Sequence, residues 1–149
     1  MKAIKFKKFG GPEVLELKEV EIGKPGPKEV LVKNFSIGLN YIDVYHRTGL
    51  YPLELPSGLG LEASGVVEEI GNEVNLFKVG DRVSHASAPI TGYSEKQIMP
   101  EEKLVKVPDG ISDEVASCIL LKGITSEYLL HRSYPAKKGD KVLFHAAAG

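Results

Sequence analysis

The chain has 149 residues, of which 42% are hydrophobic and 26% charged, the balance of an ordinary folded globular protein. Its net charge of −1 gives no sign of a surface for nucleic acid or for anionic lipid. The one cysteine, Cys118, excludes an intrachain disulfide and a four-thiolate zinc site, and its apolar neighbours predict a buried, unreactive thiol. No segment approaches the ~20 apolar residues of a membrane span, and the N-terminus lacks an apolar signal core, so we expect a cytoplasmic protein without a membrane partner.

The first part of the chain predicts β-strands. Residues 2–7 and 14–20 alternate between polar and apolar side chains, and residues 30–35 are rich in valine and leucine. Glycine and proline punctuate these segments at 10–12 and 23–27. We therefore expect three strands joined by turns.

A short helix interrupts this series. Residues 40–48 lose the alternation, Asn40 is a good N-cap, and Gly49 is a good helix stop. A loop rich in proline and glycine follows, and residues 63–70 return to strand character.

The last third predicts helices and then one strand. Ser112 is a good N-cap, and the apolar positions continue to residue 130, which we interpret as two helices broken near Gly123. Residues 141–146 predict a buried strand. The order of elements therefore predicts a mainly β domain that gives way to the beginning of an α/β domain.

Two glycine patterns need separate interpretation. The segment Gly58-Leu-Gly60-Leu-Glu-Ala63 satisfies G-x-G-x-x-A, but a loop precedes it and a strand follows, the reverse of what a dinucleotide-binding turn needs. At 142–149, small residues follow a predicted buried strand, as a phosphate-binding turn requires, although the sequence stops at its first glycine, Gly149. Gly80-Asp-Arg-Val83 and Gly139-Asp-Lys-Val142 share turn chemistry and do not make a repeat.

Six segments, spread over almost the whole chain, stand in the order and at the spacing of one family. They are Gly38-Leu-Asn-Tyr-Ile-Asp-Val-Tyr45 with Arg47 and Gly49-Leu-Tyr-Pro52, Leu55-Pro-Ser-Gly-Leu-Gly60 with Glu62, Gly80-Asp-Arg-Val83, Leu121-Lys-Gly-Ile-Thr125 and Phe144-His-Ala-Ala-Ala-Gly149. Together they resemble the zeta-crystallin-like quinone oxidoreductases of the medium-chain dehydrogenase/reductase superfamily. The resemblance implies a GroES-like β-barrel catalytic domain at 1–122 and the first helices and strand of a truncated, NADPH-binding Rossmann domain at 123–149.

The same resemblance implies an enzyme without zinc. Zinc-dependent relatives carry a cysteine ligand at the position of Asn40 and a histidine ligand at that of Leu61. Neither an amide nor an isobutyl side chain is a usual ligand of catalytic zinc. The four-cysteine lobe of those relatives is also missing.

The resemblance implies Tyr51 and Asn40 as catalytic residues. Tyr51 lies in a Gly-Leu-Tyr-Pro loop, where its phenol can donate to a quinone or nicotinamide oxygen. Asn40 carries both a donor and an acceptor for the nicotinamide ribose or an ordered water. An amphipathic surface tyrosine and a pure N-cap are the structural alternatives.

The residues implied in NADPH binding are Asn40, Tyr45, Lys122, Thr125 and Gly149. Thr125 would bond the nicotinamide carboxamide, with a helix-start hydroxyl as its structural alternative, and the position of Tyr45 also suits packing. No metal ligands are expected.

Three charged residues near these positions have a structural interpretation. Asp43 and Arg47 stand four apart and share a helix face, which predicts an ion pair. Glu62 is expected to hold neighbouring loops together.

The function implied is reduction of a quinone or another electron-poor carbonyl by NADPH without zinc, in a full-length homodimer, with this chain alone inactive. Hydride transfer and transfer as two single electrons both stay open, as does the choice of quinone. A quinone is already electrophilic, so proximity and orientation supply most of the catalysis. One alternative is an enone or enoyl reductase, and another is a non-enzymatic binding or structural module, for which the charge balance argues against nucleic acid as a partner.

Overall fold

A computed structural model describes residues 1–145, and the predicted cofactor residue Gly149 lies outside them. The strands are β1 (Lys2–Lys5), β2 (Glu16–Glu19), β3 (Glu29–Gly38), β4 (Glu62–Ile70), β5 (Arg82–Ala86), β6 (Lys96–Pro100) and β7 (Val105–Lys106). β1 pairs with β2, and the other five form an antiparallel sheet in the order β6-β3-β4-β5-β7. The predicted mainly β architecture is confirmed.

The core lies against the centre of the five-stranded sheet. β3 and β4 pair along nearly their whole length, from Val30 opposite Ile70 to Gly38 opposite Glu62, with register shifts that mark bulges. The buried side chains that pack together there are Val30, Val32, Val67, Phe77, Val83, Met99 and Leu104. This pairing brings the end of β3 and the start of β4 to the same edge of the domain.

Within residues 1–145 two α-helices complete the domain, α1 (Tyr41–Thr48) and α2 (Asp113–Glu127). Three predicted boundaries are confirmed: Asn40 is the N-cap of α1, Gly49 ends α1 with a left-handed φ of 83°, and the Ser112 hydroxyl caps the start of α2 by accepting from Val115 N at 3.3 Å. α2 packs on β3 and β4 so closely that a Cβ on Gly38 would lie 1.9 Å from the Ser117 carbonyl oxygen.

The predicted break near Gly123 is wrong, because α2 runs through this residue and a π-helix, Tyr128–Ser133, follows it. A single glycine costs a helix only ~1 kcal/mol, too little to end one that is docked on a sheet. The predicted strand at 141–146 is also wrong for residues 141–145, which form no regular structure, since no strand within 1–145 pairs with them. Residue 146 lies outside the described residues.

Cys118 is exposed, so the predicted buried thiol is wrong. On α2, Ala116 and Ser117 are buried and face the sheet, whereas the next residue, Cys118, faces solvent. Apolar neighbours along the sequence did not identify the buried face, because a helix presents successive residues in different directions.

The glycine patterns behave as turns and close contacts. Gly60 has a φ of 94° and packs on the Tyr93 ring, and strand β4 follows it, as predicted. Asp81 and Asp140 accept from backbone N–H groups three residues earlier, at 3.0 and 2.8 Å, so the shared turn chemistry is confirmed. Within residues 1–145 no helix is both long and apolar enough to cross a membrane.

Candidate active site

A buried amide–carboxylate pair lies where β3 ends and β4 begins. Glu62, the first residue of β4, is fully buried, and Asn40 follows the end of β3 by two residues and is 6% exposed. Asn40 Nδ2 donates to Glu62 Oε2 at 2.8 Å. The strand pairing therefore brings together two polar side chains that stand 22 positions apart in the sequence.

Helix α2 adds a cation to this pair. Lys122 Nζ donates to Asn40 Oδ1 at 2.8 Å and lies 3.8 Å from Glu62 Oε2. The backbone N–H of Leu121 donates to the other oxygen, Glu62 Oε1, at 2.8 Å. Glu62 thus joins a loop to a helix, which confirms its structural interpretation, and the predicted residues Asn40 and Lys122 are in direct contact.

Tyr45 and Tyr51 form the aromatic part of the site. Their ring centroids lie 5.3 Å apart, edge to face, and Tyr51 N donates to the carbonyl oxygen of Tyr45 at 3.1 Å. Tyr41, at the start of α1, packs on Tyr45 with a centroid distance of 5.2 Å. Tyr51 is 49% exposed, so its ring is accessible to a ligand. Helix α1 connects this ladder of rings to Asn40.

The predicted ion pair between Asp43 and Arg47 is wrong. Asp43 is buried, and its Oδ2 accepts from Asn40 N at 3.0 Å and from the Tyr93 hydroxyl at 2.9 Å. Arg47 Nε instead donates to the Gly10 carbonyl oxygen at 3.2 Å. Burial of Asp43 explains the difference, because an aspartate under the helix bonds the groups it faces.

Two titratable groups beside Asp43 have shifted pKa values. Burial raises the pKa of the Tyr93 phenol strongly, and its hydrogen bond to Asp43 raises it further. Burial lowers the pKa of His46, while the nearby Asp43 carboxylate opposes that shift. At neutral pH Tyr93 therefore keeps its phenol proton and His46 is a neutral imidazole. The hydrogen bond from the Tyr93 hydroxyl to Asp43 fixes the first turn of α1.

A second polar network connects strands β3, β5 and β6 around His85. Gln97 Nε2 donates to Asn34 Oδ1 at 3.0 Å and lies 2.6 Å from His85 Nε2. An amide nitrogen has no acceptor capacity, so His85 Nε2 accepts and the ring is neutral. Burial lowers the pKa of His85 to about 4, against opposing backbone hydrogen bonds. No sequence motif pointed to this network, which joins three strands.

The remaining predicted residues do not join the cluster directly. Thr125 Oγ1 donates to the carbonyl oxygen of Leu121 at 2.8 Å, within its own helix. Gly149 lies outside the described residues. Across residues 1–145, no three His, Cys, Asp or Glu side chains come together as a metal site.

The antiparallel sheet with the helix α2 docked on it is the architecture of a GroES-like domain. Residues 26–135 match the alcohol dehydrogenase GroES-like domain, and the chain belongs to that family. This match confirms the predicted fold family.

The most informative relatives are quinone oxidoreductases. The chain is 54% identical to the quinone oxidoreductase of Pseudomonas aeruginosa, covering 99% of this chain and 46% of that protein. The crystal structure of Escherichia coli quinone oxidoreductase complexed with NADPH superposes with a TM-score of 0.90 at 43% identity, covering 92% of this chain and 42% of that one. A 2-haloacrylate reductase of Burkholderia is 46% identical, covering 100% of this chain and 46% of that protein. The chain thus spans about half the length of these relatives, and the predicted resemblance is confirmed.

Proposed function

We propose that this chain supplies the catalytic domain of an NADPH-dependent quinone reductase that works without zinc. The observation that carries the proposal is the similarity over 99% of the chain to a quinone oxidoreductase, at 54% identity. The geometry supports it, because Asn40 and Lys122, both expected to bind NADPH, are in contact at 2.8 Å. In this proposal the catalytic domain is 1–122 and the nucleotide-binding domain begins at 123.

The cluster of Asn40, Glu62 and Lys122, with Tyr45 and Thr125 beside it, suits the nicotinamide end of NADPH. NADPH supplies the reducing equivalents when bound. Asn40 and Lys122 offer N–H donors, and Tyr45 offers an aromatic edge. Thr125 donates its proton to Leu121, so its oxygen lone pairs are left to accept from the carboxamide. Together these residues would orient the ring against the acceptor, and orientation is the main catalytic contribution such a site can make.

Tyr51 is the proposed donor to the acceptor oxygen. Its ring is half-exposed and is braced by Tyr45, so the hydroxyl is held in place and still reaches a ligand. We expect Tyr51→Phe to lower turnover of quinones by about tenfold to a hundredfold, because one stabilising donor is lost. Steady-state kinetics of the complete natural protein measure this, with the exposed Tyr134→Phe as control. Unchanged turnover with every quinone tested would make Tyr51 a packing residue.

The absence of zinc rests on the chemistry of two side chains. Both polar ends of the Asn40 amide are bonded within the protein, and Leu61 has no donor atom. A catalytic zinc site needs three side-chain ligands. We expect elemental analysis to find far less than one zinc per chain. Stoichiometric zinc that survives dialysis against a chelator contradicts this part of the proposal.

An enone reductase is the second candidate, favoured by the similarity to a 2-haloacrylate reductase. Both activities would use the same cofactor and the same site. NADPH oxidation by the complete natural protein with a panel of quinones and a panel of enones separates them. Oxidation with neither panel supports a non-enzymatic module instead.

We also propose that residues 1–149 alone are inactive. The pyrophosphate of a dinucleotide gains most of its binding energy at a strand–turn–helix unit, and Gly149 would be the first glycine of that turn. We expect no measurable NADPH–quinone activity and only very weak NADPH binding by calorimetry for this chain. Micromolar affinity would place the phosphate site within these residues. A homodimer in the cytoplasm is the further expectation for the complete natural protein, and light scattering tests the dimer.

A further inference from the structure

The fully buried carboxylate of Glu62 is the most costly polar group of the site. Removing a carboxylate from water costs several kcal/mol unless hydrogen bonds and a counter-charge compensate it. Glu62 has all of these: Asn40 Nδ2 and Leu121 N at 2.8 Å each, and the ammonium of Lys122 at 3.8 Å. Because Glu62 is held on both oxygens, it is a rigid reference point for the two side chains that face it.

Lys122 differs from its partners in being open to solvent. Its side chain is 59% exposed, whereas Glu62 and Asn40 are buried. An ammonium carries three N–H bonds, and in the part of the chain that the structure describes Lys122 Nζ donates one, to Asn40 Oδ1. Two N–H bonds of a positioned cation are therefore left for a ligand.

We infer that Lys122 Nζ is an anion-binding group for the oxygen of the reduced acceptor, a phenolate or enolate, with Asn40 and Glu62 as positioning residues. This deepens the proposed function and rests on it. When the acceptor gains a hydride and NADPH is oxidised, an electron pair moves onto the acceptor oxygen, which stays negative until it takes a proton from water. A charged donor fixed beforehand stabilises that oxygen more than the neutral carbonyl.

The role differs from simply holding the cofactor or compensating Glu62. A cofactor contact would change the affinity for NADPH, and a compensating charge would change only stability. An anion-binding group changes the affinity for a negatively charged acceptor and leaves that for a neutral one unaltered. This contrast can be measured without turnover.

The probe is the anion of 2-hydroxy-1,4-naphthoquinone, a stable analogue of the reduced acceptor, compared with neutral 1,4-naphthoquinone. Both are titrated into the complete natural protein without NADPH and followed by absorbance. We expect Lys122→Met to weaken binding of the anion by about tenfold or more, as for a lost hydrogen bond to a charged group, and to leave the neutral quinone unchanged. Lys122→Arg should keep much of the anion preference, since the charge remains. Lys103→Met, at an exposed surface pair, is the control for loss of one positive charge.

Kinetics and stability complete the test. With 1,4-naphthoquinone as acceptor, Lys122→Met should lower kcat about tenfold or more at saturating NADPH, in addition to any rise in the KM for NADPH from the lost cofactor contact. Equal binding of the anion by wild type and Lys122→Met overturns the inference, as does an effect confined to the KM for NADPH. If the natural protein reduces no quinone and still shows Lys122-dependent anion binding, the proposed function fails and the site stands. If the natural protein reduces quinones and its turnover does not depend on Lys122, the proposed function stands and the inference about Lys122 fails.

Discussion

The sheet and the C-terminal part of the chain contain the same kinds of apolar residues, but these residues are buried in the sheet and exposed in the C-terminal part. In the sheet, Val30 and Met99 are fully buried, whereas every residue from 122 to 145 is exposed, and Leu143 is 81% exposed. Helix α2 crosses the boundary: it packs on β3 and β4, and its buried residues, Ala116 and Ser117, lie near its start. Apolar side chains stabilise a fold only where another element covers them, and a large uncovered apolar surface is typical of an interface. Lys122 stands at this boundary.

The largest expected loss of stability is tested by comparing one methionine with one leucine. Met99→Ala removes a fully buried side chain from the core and should lower the free energy of unfolding by about 4 kcal/mol. Leu129→Ala, at a residue that is 50% exposed, should change it by less than about 0.5 kcal/mol. Urea denaturation of the two variants measures both. Similar losses would mean that the C-terminal part is packed in solution.

Two glycines give the next contrast. Gly38→Ala places a Cβ 1.9 Å from the Ser117 carbonyl oxygen, so β3 and α2 must separate, at an expected loss of about 3 kcal/mol. Gly123→Ala meets nothing within 4 Å and should stabilise α2 by about 1 kcal/mol. The same chemical change thus has opposite signs in the two regions. Loss of stability in both variants would contradict the exposed position of Gly123.

Acid should weaken the sheet through His85. Its folded pKa of about 4 lies below the ordinary 6.5, so the unfolded chain binds the proton more tightly. Stability from this group is complete above pH 6.5 and is lost as the pH falls towards 4, by up to about 3 kcal/mol. His85→Gln keeps an acceptor for Gln97 and should remove this part of the pH dependence. If the free energy of unfolding falls by the same amount in both proteins as the pH is lowered from 6.5 to 4, a neutral, buried His85 is contradicted.

The smallest expected effect lies at the start of α2. Ser112→Ala removes the hydroxyl that accepts from Val115 N and should cost about 1 kcal/mol. Ser126→Ala, in the exposed half of the same helix, should change stability by less than about 0.5 kcal/mol. Thermal unfolding followed by circular dichroism compares the two. A larger loss of stability for Ser126→Ala than for Ser112→Ala would mean that the second half of α2 contributes more to stability than its start.

Local features were predictable because local chemistry causes them. The cap at Asn40, the stop at Gly49 and the cap at Ser112 depend on groups within a few residues, and all three are found where the sequence predicts them. Strand β6 was missed, because Lys96–Pro100 lacks a clear alternation of polar and apolar residues and becomes a strand by pairing with β3. Pairing with a distant partner overrides weak local preference.

The sequence by itself determined the mainly β fold family, the residue types of the candidate site and the non-ligand side chains at Asn40 and Leu61. Only the tertiary structure decided which of those residues meet. Lys122 reaches Asn40 across 82 positions, and Asp43 bonds Tyr93, 50 positions away, instead of its helix neighbour Arg47. The exposure of Cys118 and of residues 141–145 was decided in the same way. Local propensity acts over one helical turn, whereas burial and hydrogen bonding between distant residues depend on strand register and helix docking.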